Sequence, residues 1–153
     1  MRSCLPLAVL VMLGCATDPS STGPGATYNP IAGTYVGAVS GTTEGSTLEG
    51  PYTLNLQQSA GSLSGSYSFV ATFPTGTLTM AGSVDGTMTA GDYPTVTLDL
   101  THDICTNVKV RHTGTYDLAL RRITLSGPID LVNTQNNACN ISRRLSTTVT
   151  MNR

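Results

Sequence analysis

Apolar residues alternate with hydroxyl-bearing ones along almost every stretch between Ile31 and Arg153, and nothing repeats at helical spacing. Tyr52, Leu54 and Leu56 alternate with Thr53, Asn55 and Gln57. After a turn at Ser59-Ala60-Gly61-Ser62, Leu63, Gly65, Tyr67 and Phe69 alternate with serines. Leu78, Met80 and Val84 oppose Thr77, Thr79 and Ser83, and Asp85-Gly86 reads as a two-residue hairpin turn. Val96, Leu98 and Leu100 form the next face. Val108, Val110, Tyr116, Leu118 and Leu120 form another, and a turn at Arg121-Arg122 leads into Ile123, Leu125, Ile129 and Leu131. Leu145, Val149 and Met151 end the chain. Each segment therefore has one apolar face to bury and two edges to satisfy. The expectation is an all-β antiparallel up-and-down barrel of eight or nine strands closed by its first and last strands, with a β-sandwich as the alternative.

Composition removes several classes of function. Charged residues make up 11% of the chain and the net charge is −1, so no basic footprint for nucleic acid and no polybasic membrane patch exists. No Gly-x-Ser-x-Gly elbow, His-Glu-x-x-His helix or phosphate loop occurs, and the acids are scattered over turns and outward positions. His102-Asp103-Ile104-Cys105 gathers a thiol, a base and an acid, but neighbours at a strand end point in different directions. The expectation is a non-enzymatic protein without a cofactor.

The N-terminus supplies an address. Arg2 precedes an apolar run from Leu5 to Leu13, and Met12-Leu13-Gly14-Cys15 follows directly. The run is too short to cross a bilayer, which takes roughly 20 residues. Its order of charge, apolar run and small-residue cleavage site is that of a secretory signal. With cysteine after the glycine it resembles a bacterial lipoprotein signal, and that resemblance implies that Cys15 is lipidated and becomes the mature N-terminus. Residues 1–14 would then be the signal and residues 15–30, rich in Pro, Gly, Ser and Thr, a flexible tether. Residues 31–153 would form the barrel, too short for two comfortable domains. The implied location is the cell envelope, anchored by lipid at the outer membrane or in the periplasm.

Two cysteines remain in the exported part, Cys105 and Cys139, each beside turn-forming residues. In an exported domain they most simply form a disulfide. A metal pair completed by His102 is the alternative, although two thiols and one imidazole fall short of a closed zinc site.

Ile31-Ala32-Gly33-Thr34-Tyr35 resembles the Gly-x-Trp opening of calycin barrels, the lipocalins and avidins, with tyrosine for tryptophan. Leu63-Ser64-Gly65-Ser66-Tyr67 resembles the third strand of an avidin-type barrel, and Gly-Thr-Tyr recurs at Gly114-Thr115-Tyr116. The resemblance implies a ligand-holding barrel in which Arg143 or Arg144 packs over the opening ring, as a late-strand arginine does in lipocalins. The chain lacks the tryptophans that avidins stack against biotin. His112 and Arg143 fall on the apolar parity of their strands. Either they line a cavity with Tyr35 and Tyr116 and orient the polar end of a small apolar ligand, or they lie at strand ends or beside a bulge and face solvent. Two functions follow as expectations: a membrane-anchored barrel that binds a small, mostly apolar ligand, or an envelope module with a filled core that contacts another protein.

Overall fold

The computed structural model describes residues 26–43, 46–73, 76–133 and 139–153. The signal, Cys15 and the first part of the tether, residues 16–25, lie outside the described residues. The alternating segments become eight strands in chain order: β1 (Gly33–Thr43), β2 (Ser46–Ser59), β3 (Ser62–Phe73), β4 (Gly76–Met88), β5 (Thr95–His102), β6 (Lys109–Asp117), β7 (Arg122–Asn133) and β8 (Asn140–Asn152). Each pairs antiparallel with the next. β1 also pairs with β8, from Val36 opposite Asn152 to Thr42 opposite Ser146, so the sheet closes on itself as the alternation requires.

Parity sorts the side chains between two environments. Leu54, Leu98, Ile123, Leu125, Val149 and Met151 fill the interior together with two aromatic groups. Tyr52, Tyr67 and Phe69 stack with centroids 5.8–6.4 Å apart, while Tyr35 and Tyr116 meet edge-on at 6.4 Å. The outer wall carries hydroxyls in register: Thr87, Thr97, Thr113, Ser126, Thr148 and Ser40 stand side by side across six strands. β-branched threonine suits a pleated surface, and its hydroxyl keeps the wall wet with few charges.

Two expectations about turns do not hold. Asp85-Gly86 lies inside β4, which runs on to Met88, and the β4–β5 connection falls at residues 89–94. Gly86 is needed there because a Cβ would collide with the Thr97 carbonyl oxygen of β5. Leu118 and Leu120, read as part of an inward face, sit in the β6–β7 turn and are exposed. Asp117 accepts a hydrogen bond from the Leu120 amide at 3.0 Å and fixes that turn.

Inward glycines recur for the same reason. A Cβ on Gly50, Gly65, Gly82 or Gly114 would strike the carbonyl oxygen of the adjacent strand. Glycine thus lets neighbouring backbones coil tightly rather than leaving space inside. Gly114→Ala should therefore destabilise the fold by roughly 1–3 kcal/mol through overpacking against Thr124. Urea denaturation of the variant beside the parent measures it, and an unchanged midpoint would refute this use of glycine.

Candidate functional site

The four residues proposed to line a ligand cavity are dispersed over the barrel. Tyr35 and Tyr116 lie at the end where the chain enters. The Tyr35 hydroxyl donates to the Ile31 carbonyl at 2.6 Å and the Tyr116 hydroxyl to the Pro30 carbonyl at 3.3 Å. Gln58 accepts from the Ile31 amide and donates to the Asn29 and Ala60 carbonyls. Residues 29–31, including the end of the expected tether, are thereby fastened across this end, with Ile31 fully buried. Burial raises the Tyr35 phenol above its ordinary range, and its neighbour Tyr116 adds to the rise. Both tyrosines serve as clamps here.

Arg143 is exposed, near the opposite end. Arg143 still pairs with Leu131, but Val132 pairs with Ile141, so β8 carries an extra residue directly beside Arg143 and its parity breaks there. Arg143 and Arg144 therefore stand about ten positions along β8 from Tyr35, roughly 33 Å at strand rise, and neither covers its ring. The arginine near Tyr35 is Arg153. Its guanidinium fills the space that a Cβ on Gly33 would occupy, and Gly33 itself has a φ of +150°.

His112 is inside, fully buried on β6. Its Nε2 lies 3.3 Å from Thr147 Oγ1, whose hydroxyl donates to the Gly127 carbonyl at 2.8 Å. Because that proton is committed to Gly127, Nε2 must carry the imidazole hydrogen and donate to Thr147. Nδ1 is left buried without a hydrogen-bond partner. Desolvation lowers the His112 pKa to about 4, so the ring is neutral at pH 7.

His112 adjoins the weakest part of the wall. β6 and β7 pair only from Thr113–Ser126 to Asp117–Arg122, and the ladder is not continued towards the other end. A disulfide reaches across this region, and an ion pair between β7 and β8 stands beside it. Cys105 and Cys139 form the expected disulfide, with Cα atoms 5.6 Å apart, tying the β5–β6 connection to the start of β8. Asp130, whose side chain is 1% exposed, accepts a two-pronged bond from Arg144 at 2.6 and 2.7 Å. His102 Nδ1 accepts hydrogen bonds from the Ile104 and Cys105 amides and shapes the connection that presents the thiol. The supposed base is thus a turn cap, and the thiol beside it is oxidised.

Behind the seam, Tyr67, Phe69, Met80, Leu100, His102, Val108, Val110, Ile129 and Asp130 close around a space of about 10 Å³. That is the room of one water at most, against roughly 300 Å³ for an ordinary small-molecule pocket. Among the described residues no group of three or more His, Cys, Asp or Glu side chains is arranged to hold a metal ion. Sequence reasoning found His112 and the disulfide but not the Asp130–Arg144 pair, which register alone brings together. No known protein family and no curated protein matches this chain.

The buried imidazole makes stability depend on pH. The unfolded chain protonates His112 near 6.5, while the folded chain holds it neutral down to about 4. Stability is therefore full above about pH 6.5 and falls as pH drops towards 4, by on the order of 3 kcal/mol. His112→Leu should flatten most of this acid limb, leaving the contribution of His102, which burial also lowers. Urea melts at about pH 7.5 and about pH 4.5 measure the slope; equal slopes in parent and variant would rule His112 out as its source.

Proposed function

We propose that this chain is a non-enzymatic, lipid-anchored module of a bacterial cell envelope, at the outer membrane or in the periplasm, whose filled barrel works through its outer surface on another envelope protein. The observation that carries the reading is the interior space of about 10 Å³. The wall adds support. A membrane-spanning barrel turns apolar side chains outward and polar ones inward, whereas here Leu and Val face in and Thr and Ser face out. Anchoring thus falls to Cys15 through the lipobox resemblance, and a disulfide between Cys105 and Cys139 agrees with an exported, oxidised location.

The β6–β7 seam favours a second reading, a calycin-like barrel that admits a small apolar ligand. There the ladder stops and the unpartnered Nδ1 of His112 lies close by. A ligand would have to displace a closely packed lining and push into a packed aromatic stack. The filled-core module is therefore the preferred reading.

Two measurements decide between these. Cys15→Ala should release the protein from membranes, and a variant still sedimenting with membranes after a high-salt wash would overturn the anchor. Native mass spectrometry of the detergent-extracted protein should give the lipidated chain alone. A stoichiometric apolar adduct that is lost on unfolding would instead establish the ligand-binding reading.

A further inference from the structure

Both ends of the barrel expose large apolar groups, Ile104 and Ile141 at one and an aromatic group with two leucines at the other. At the end where residues 27–31 enter, the β4–β5 connection carries Tyr93, 92% exposed, and the neighbouring β6–β7 turn carries Leu118 and Leu120, 44% and 56% exposed. Tyr93 and Leu118 border a common groove with Thr115, Tyr116 and the carboxylates of Asp92 and Asp117. Arg121, Arg122 and Arg153 lie at the same end, and the Arg153 amide donates to the Arg121 carbonyl at 3.1 Å. Asp92 and Asp117 share this end, but Asp117 is engaged by the Leu120 amide and lies 3.9 Å from Arg122. An exposed tyrosine beside two leucines, rimmed by arginines, is the composition that settles at a bilayer interface: the ring and leucines enter the acyl boundary and guanidinium groups meet phosphates.

We propose that this end of the barrel is a second membrane-contact face, which lays Tyr93, Leu118 and Leu120 into the headgroup region of a phospholipid bilayer. The inference rests on the lipid-anchor reading of Cys15 and adds an orientation to it. The argument for the occupant is where the chain enters. The Gly91 amide donates to the Thr27 carbonyl and the Asn29 side chain to the Gly91 carbonyl, so the tether arrives at the loop that carries Tyr93. Between Cys15 and Ala26 the chain spans at most about 40 Å, whatever its conformation. A lipid on Cys15 therefore keeps this face near the bilayer at high effective concentration, and a patch too small to bind a membrane unaided becomes sufficient.

The absence of tryptophan from the sequence makes the test direct. Tyr93→Trp, Leu120→Trp and, at the opposite end, Ile104→Trp each introduce a single tryptophan, excited apart from the tyrosines, into the full lipidated chain. The proteins are reconstituted into vesicles of phosphatidylethanolamine and phosphatidylglycerol, with and without brominated acyl chains. Tyr93→Trp and Leu120→Trp should be blue-shifted and quenched at least roughly twofold more than Ile104→Trp. Equal quenching at both ends, or stronger quenching of Ile104→Trp, in protein that floats with the vesicles would overturn the face while leaving the anchor intact. Protein that does not float with the vesicles would overturn the anchor and the face together.

Discussion

Closure of the sheet between β1 and β8 is the constraint from which most of this structure follows. An eight-stranded ring has an interior just wide enough for side chains to fill it. Once Val36–Thr42 pair with Ser146–Asn152, every inward position competes for a fixed volume, and the large residues there must be offset by residues with no side chain. Gly82 shows the exchange: its missing Cβ leaves room for both the Thr101 carbonyl and the Tyr67 ring. Aromatic mass and glycine are thus complementary parts of one packing solution. Closure also removes the exposed strand edges that an open meander of threonine-rich strands would offer to other chains.

Among the described residues the β6–β7 pairing is the shortest in the ring, and a cross-link of another kind stands there. Past Thr113 and Ser126 the β6–β7 ladder stops. The disulfide ties the β5–β6 connection to the start of β8 past that gap, while the Asp130–Arg144 pair fastens β7 to β8 beside it. The disulfide acts by limiting the unfolded chain, worth about 4 kcal/mol for a loop of this length on the chain-entropy account. The ion pair acts differently. The Asp130 carboxylate is nearly inaccessible whereas the Arg144 side chain is 61% exposed. Removing Arg144 would strand a buried charge, so the pair specifies how β7 and β8 meet more than it adds net stability. The Thr147 hydroxyl donates to the Gly127 carbonyl, and the neutral imidazole of His112 completes this polar lining by donating to the Thr147 oxygen.

Much of this architecture was legible because a strand's side chains have a period of two and closure preserves it. The inward set from Tyr35 to Met151 was readable in that way; the parity of His112 pointed inward too, but it left a solvent-facing strand end equally open, and only the structure places the ring inside. Legibility ended where the period was interrupted by something non-local. Leu118 and Leu120 keep the parity of β6 but belong to a turn set by the Asp117 carboxylate. Arg143 keeps the parity of β8 but follows a bulge visible only once β7 is laid beside it. Asp85-Gly86 has the chemistry of a hairpin turn, yet Gly86 answers a demand from the facing strand β5. The recurrence of Gly-Thr-Tyr at residues 33–35 and 114–116 was plain; that the two tyrosines would meet edge-on over the incoming chain was not, because their contact joins strands far apart in sequence.

These constraints also bear on how such a barrel can recognise anything. Strand addition requires a free edge, and the closed ring of described strands offers only short unpaired stretches such as the one where the β6–β7 ladder stops. Inclusion requires volume, and the aromatic stack with its aliphatic neighbours has taken it. What remains is contact through outward side chains and loops, and these are unevenly distributed. The wall is a lattice of short hydroxyls, suited to staying hydrated and poor in the large anchors that dominate binding energy. The larger exposed groups sit mainly towards the ends, Tyr93, Leu118 and Leu120 at one and Ile104 and Ile141 at the other. If the first end is taken up by the membrane, the end carrying the disulfide is turned away from it. A protein partner would then meet a surface that the Cys105–Cys139 bond holds in place before the encounter, which reduces the ordering cost of binding.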